Sequence, residues 1–235
     1  MSNTVPTPPE EAHFDPDTRA PRERRLSFGN LALPILMFLV PLLGAPARLL
    51  HPAPWIGLVA GEIILLSQPP LGPQGMVKHR RDRFSGLGIY IAQILAPLIA
   101  IIDFGYRVEF HPAPFSLLVL AAFALVAGAL TLRLWSIRTL GAFFTSTVRV
   151  QQGQTVVDSG PYCLLRHPSY TGALLTTLGI SIGLASVVGV ALTLLLGVPA
   201  YLYRIHVEEK ALAEGLGDPY SAYCRRTWRL IPYVY

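Results

Sequence analysis

At 235 residues, 52% hydrophobic and only 14% charged, with a mean hydropathy of +0.46, the chain lacks the composition of a soluble domain, where about 25% of residues are charged. Its net charge of +5 comes from Lys and Arg scattered at the ends of apolar runs. That pattern excludes a recognisable nucleic-acid module, and the two cysteines, Cys163 and Cys224, are too far apart for a metal-site spacing.

Residues 1–27 are rich in Pro and charge and have no apolar core like that of a signal peptide, so they read as a disordered tail. Nearly uncharged blocks follow at Leu31–Ala47, Trp55–Gly75, Phe84–Ile102 and Pro112–Leu132. Each approaches the roughly 20 apolar residues that cross about 30 Å of hydrocarbon. None shows the alternation of a barrel strand, and lipid leaves backbone polar groups no partner outside their own segment, so helices are predicted. The fifth block, His167–Tyr203, has 37 residues without an Asp, Glu, Lys or Arg. One straight helix of that length would overshoot the bilayer, at about 1.5 Å per residue. Gly183, Ser186 and Gly189 offer a break, and two helices over about 171–184 and 188–203 are predicted, folded back as a hairpin.

The expected fold is therefore an all-α integral membrane protein of about six transmembrane helices. With the N-terminus in the cytoplasm, 17 of the 19 Lys and Arg fall on that side, leaving Arg48 and Arg107 outward. This orientation predicts a multi-pass protein with both termini cytoplasmic, compact in the manner of a prokaryotic inner-membrane enzyme. Three regions are expected: a tail over 1–27, a four-helix region over 28–136, and a loop, hairpin and C-terminal lid over 137–235 with a cytoplasmic cofactor-binding region.

Polar side chains at a lipid boundary are costly unless they bind something. Gly160-Pro161 is a turn signal, and the loop after it delivers Tyr162, Arg166, His167 and Tyr170 to the mouth of the fifth block, with Pro168 suited to a first helical turn. The same residues also suit an interfacial anchor. Arg204 and Glu208 stand one helical turn apart on one face, with Leu212 continuing the row; an ordinary surface ion pair has that spacing too. Glu209 reads equally as solvated. In 215–235, aromatic rings alternate with Arg225, Arg226 and Arg229, as in a lid for a flat ligand or a segment lying on anionic lipid. Glu62 is a lone carboxylate at membrane depth and a candidate for substrate binding, or a buried helix contact.

The runs "GPYCLLRHPSYTG" (160–172), "EEKAL" (208–212), "GDPYSAYCRR" (217–226) and "IPYV" (231–234), in this order and separated by a hairpin, resemble the isoprenylcysteine carboxyl methyltransferase family and related phospholipid methyltransferases. The resemblance covers about 140–235; the four N-terminal helices match only in being hydrophobic. It implies an integral membrane enzyme that uses S-adenosylmethionine as cofactor and methylates a lipophilic or prenylated substrate drawn from membrane lipid, with no metal and no nucleic acid as partner. Carried over residue by residue, it assigns cofactor binding to Gln154, Thr155, Val156, Val157, Tyr162, His167, Pro168, Ser169, Tyr170 and Glu208, and a substrate-orienting, catalytic role to Arg204. Gln154 stands where the family often has His, and a further family position falls near Arg149. Rival readings are an amine methyltransferase of phospholipid head groups, a sterol-reductase-like NADPH enzyme, and a small transporter or scaffold without affinity for S-adenosylmethionine.

Overall fold

The computed structural model describes residues 28–68, 83–107, 112–145, 148 and 150–235. The expected tail, the end of the second apolar block, most of the basic stretch 78–83 and Arg149 lie outside the described residues. Among the described residues every regular element is helical, and one isolated bridge pairs Leu165 with Trp228.

The helices are α1 (Phe28–Leu39), α2 (Pro52–Ser67), α3 (Arg83–Tyr106), α4 (Leu117–Leu140), α5 (Pro168–Gly183), α6 (Val187–Leu192), α7 (Val198–Leu216) and α8 (Asp218–Cys224). Short polar side chains begin several of them by accepting otherwise orphaned backbone N–H groups. His51 Nδ1 accepts from Ala53 N at 3.2 Å, and the Ser186 hydroxyl accepts from Gly189 N at 3.0 Å. Three helices, Ser85–Tyr106, Leu117–Phe143 and Val187–Leu216, are long and apolar enough to cross a membrane. The others expected to cross are shorter: α1, α2 and α5 have 12, 16 and 16 residues, about 18–24 Å of helix. Leu36, Val59, Phe123 and Leu195 expose apolar side chains on the outer faces, as a lipid-embedded bundle requires.

The hairpin is present. Leu184 N bonds Ile180 O, Ser186 N bonds Ser181 O, and Ala185 turns the chain at φ 50. The second arm then runs unbroken from Val187 to Leu216 through a π-helical turn at Thr193–Gly197, 13 residues beyond its expected end. α4 likewise continues past Leu132, the expected end of its apolar block, to Leu140. The charge that suggested a helix end, Arg133, is 2% exposed and bonded internally. The boundary expected at 136/137 thus falls inside a helix.

α4 and α5 form the closest helix pair. Small residues bring the backbones together where water-driven burial is absent: a Cβ on Gly172 would stand 2.6 Å from Ala129 O, and one on Gly179 would stand 2.7 Å from Val126 Cγ2. Phe38, Leu42, Ile101, Phe104 and Leu184 fill the centre between α1, α3 and the hairpin. This packing fixes the start of α5 against α4 and sets the mouth of the hairpin.

Candidate active site

A cleft opens at the end of the hairpin away from its turn. Its walls come from the loop after α4, the 3₁₀ turn Gly160–Cys163, the first turn of α5, the second half of α7, and α8. Pro168 occupies the first position of α5, and the His167 carbonyl accepts from Tyr170 N at 3.0 Å and Thr171 N at 3.1 Å. That start aims Ser169 and Tyr170 into the cleft, opposite Arg204 and Glu208 of α7.

Tyr170 joins the two arms. Its hydroxyl donates to Glu208 Oε2 at 2.7 Å and accepts from Arg204 Nε at 3.3 Å, while Arg204 Nη1 donates to Ser85 Oγ of α3 at 3.1 Å. The Arg204–Glu208 row expected on one face of α7 is real, and the two are linked through this phenol. His167 stacks on Tyr170 with ring centroids 5.5 Å apart.

Glu209, which read equally as solvated in the sequence, has a side chain only 12% exposed. Its Oε1 lies 3.0 Å from Arg166 Nε and 3.4 Å from His167 Nε2, and its Oε2 accepts from Arg229 Nε at 2.8 Å. It clamps α7 to the loop before α5 and to the C-terminal strap. The strap itself is hydrogen-bonded to that loop: Arg166 N donates to Trp228 O at 2.7 Å, Trp228 N to Leu164 O at 3.1 Å, and His167 N to Arg229 O at 3.1 Å.

Of the residues assigned in the sequence, Gln154, Thr155, Val156, Val157, Tyr162, His167, Ser169, Tyr170, Arg204 and Glu208 all line this one cleft. Gln154 spends its side-chain oxygen on Gln151 N at 2.9 Å, closing a local turn. Pro168 is buried behind the wall, where it shapes the turn. Glu62 sits on α2, away from the cleft, with Oε2 shielded and unpartnered. Arg149 lies outside the described residues. Phe143 and Phe144 also line the cleft, as do Tyr220 and Tyr223 of α8. The last two lie in the "GDPYSAYC" run, three residues apart, a spacing that puts both rings on one face of a helix. The signal for Phe143-Phe144 was weaker: an aromatic pair just past the helix end.

The phenols here are neutral donors. Burial, and next the Glu208 carboxylate, push Tyr162 well above the ordinary tyrosine range; burial, and next Glu209, do the same for Tyr220. Tyr223 donates to Tyr162 O at 2.8 Å. Tyr220 Oη is buried in the cleft wall without a partner, an arrangement that favours a ligand able to accept a hydrogen bond. Aromatic faces, a carboxylate and a spare donor together fit a ligand carrying a flat ring, a cation and acceptor oxygens.

Fold and cleft define a multi-pass integral membrane protein with a cleft lined by polar and aromatic side chains at the open end of a helical hairpin. The family model described as the isoprenylcysteine carboxyl methyltransferase (ICMT) family matches residues 119–214, spanning α4, the site loop, the hairpin and most of α7. Over this region the chain is similar to that family. Protein-S-isoprenylcysteine O-methyltransferase B of Arabidopsis thaliana is 27% identical over 144 residues, 60% of this chain and 73% of that protein. Uncharacterized protein YpbQ of Bacillus subtilis is 30% identical over 91 residues, and the Schizosaccharomyces pombe protein-S-isoprenylcysteine O-methyltransferase is 30% identical over 109. The chain spans about half the length of these last two, 54% and 46%. In fold it is similar to the eukaryotic intramembrane Ras methyltransferase ICMT, with a TM-score of 0.57 over 87% of this chain and 73% of that one, at 22% identity.

Proposed function

We propose that the protein transfers a methyl group from S-adenosylmethionine to the carboxylate of a lipophilic acid of the prenylcysteine type, at the cytoplasmic face of a membrane. The observation that carries this reading is the convergence of Tyr162, Ser169 and Tyr170 with Arg204 and Glu208, about 40 residues further on, in one cleft. When bound, S-adenosylmethionine supplies an electrophilic methyl on a positively charged sulfur.

The chain's own residues do the rest. Glu208 suits the ammonium or ribose hydroxyls of the cofactor. Tyr162 and Tyr220, neutral and buried, offer ring faces to adenine or cation and donors to its oxygens. Arg204, held by Tyr170 and Ser85, presents a guanidinium that orients the acceptor carboxylate. A carboxylate has a reference pKa near 4 and is ionised at neutral pH, so the acceptor needs no general base. This accounts for a site built of tyrosines, arginines and Glu208, with His167 engaged in stacking and in the Glu209 clamp. Catalysis then rests on alignment, which contributes about 7–11 kcal/mol in well-oriented reactions.

A second cavity supports the lipophilic half of the substrate. It lies among α1, α2, α3 and α5, and Met37, Phe38, Ile64, Ile94 and Ile180 give it an apolar lining with Tyr90 at its side. A hydrocarbon tail in that space leaves the polar head to the cleft. Radiolabelled methyl transfer by detergent-purified protein, with farnesylcysteine and phosphatidylethanolamine as rival acceptors, tests the proposal. Base-labile ester label on the acid is the expected result. Label only on the amine would replace this reading with the head-group methyltransferase.

A further inference from the structure

α4 carries an arginine that none of the preceding steps uses. Arg133 is 2% exposed, whereas Arg138, five residues on, is exposed to its surroundings. Arg133 Nε donates to Ser67 Oγ of α2 at 3.0 Å, and Nη1 donates to Ser169 O at 3.2 Å. Nη2 is buried without an acceptor. Among the described residues no carboxylate lies within ion-pair distance of it. Ser169 and Tyr170 form the cleft wall directly in front of this guanidinium.

An isolated buried cation costs several kcal/mol, and the structural work Arg133 performs does not require one. Two hydrogen bonds to a hydroxyl and a carbonyl are within reach of a neutral amide side chain. The α4–α5 contact at this level is already made by Gly172, whose position against Ala129 O and Arg133 N leaves no room for a Cβ. What a neutral residue would not supply is the field. Tyr90, which borders the apolar cavity, lies within electrostatic range of both Arg133 and Arg204.

We infer that Arg133 is a specificity-determining residue: a fixed positive charge behind the Ser169–Tyr170 wall that, with Arg204, selects an anionic head group over a neutral or cationic one at the acceptor end of the site. It acts through the field and through the position of Ser169, without touching the substrate. The inference rests on the proposed carboxylate methylation and narrows it to a two-arginine acceptor subsite.

The test uses full-length R133Q and R133K in detergent, with farnesylcysteine and its methyl ester as probes. Calorimetry with S-adenosylmethionine serves as the check on folding and on the cofactor half. For R133Q, KM for the acid is expected to rise about tenfold, with a smaller change in kcat. Affinity for the ester and for S-adenosylmethionine should stay near wild type. R133K should restore most of the acid's KM. An acid KM unchanged in R133Q, or a parallel loss of acid and ester affinity, would overturn the inference. Should R133Q fail to fold, R133K decides: retained preference for acid over ester supports a charge role, and its loss in a folded protein refutes it. If the wild type methylates no acid at all, the proposed function fails instead, an outcome distinct from any variant result.

Discussion

The two ends of the hairpin carry similar groups and treat them in opposite ways. At the turn, Asp103 of α3 accepts from Arg107 and from the Ser186 hydroxyl, and Arg107 Nη1 donates to Ala185 O at 2.8 Å. These groups fasten the reversal, and the network closes on itself. At the open end, Tyr170 gathers Arg204 and Glu208 at the edge of a cleft, while Tyr220 Oη and Arg133 Nη2 remain without partners. A satisfied polar network stabilises a fold; one with donors left over is built around something else.

Substitutions should separate the two ends. The largest effect is expected from Arg204→Ala, which removes the group assigned to the acceptor. Its kcat/KM should fall about 10²–10³-fold, the usual consequence of losing a charge-assisted partner, while calorimetry still finds the wild-type affinity for S-adenosylmethionine. A matching loss of cofactor affinity would merge two roles that are kept apart here. A smaller effect belongs to the turn. Asp103→Ala should lower stability by about 1–3 kcal/mol through the unpaired groups it leaves, visible as a lower thermal midpoint, with cofactor affinity intact. If that variant lost cofactor binding while remaining folded, the ends would not be independent.

The hairpin was legible in the sequence because length alone forces it: 37 uncharged residues cannot stay straight within a bilayer. That Tyr162, Ser169, Tyr170, Arg204 and Glu208 line one cleft was legible because the Gly160–Gly172 loop and the Glu208-Glu209 pair carry a family pattern. Charge misled where it was buried. Arg133 marked the end of an apolar block, yet it lies within α4, held by Ser67 and Ser169 from other segments. Glu209 hid for the same reason. Its partners Arg166 and Arg229 are 43 residues before it and 20 after it, beyond any local periodicity. Glu62, singled out as an acid at membrane depth, stays apart from the cleft, since depth alone says nothing about which cavity a helix faces.

The most direct test of the convergence claim is calorimetric titration of S-adenosylmethionine into detergent-purified wild type, Glu208→Ala and His167→Ala. Micromolar-range binding by the wild type is expected, weakened about tenfold or more in each variant. Undiminished binding in both would mean that the start of α5 and the middle of α7 do not share a cofactor.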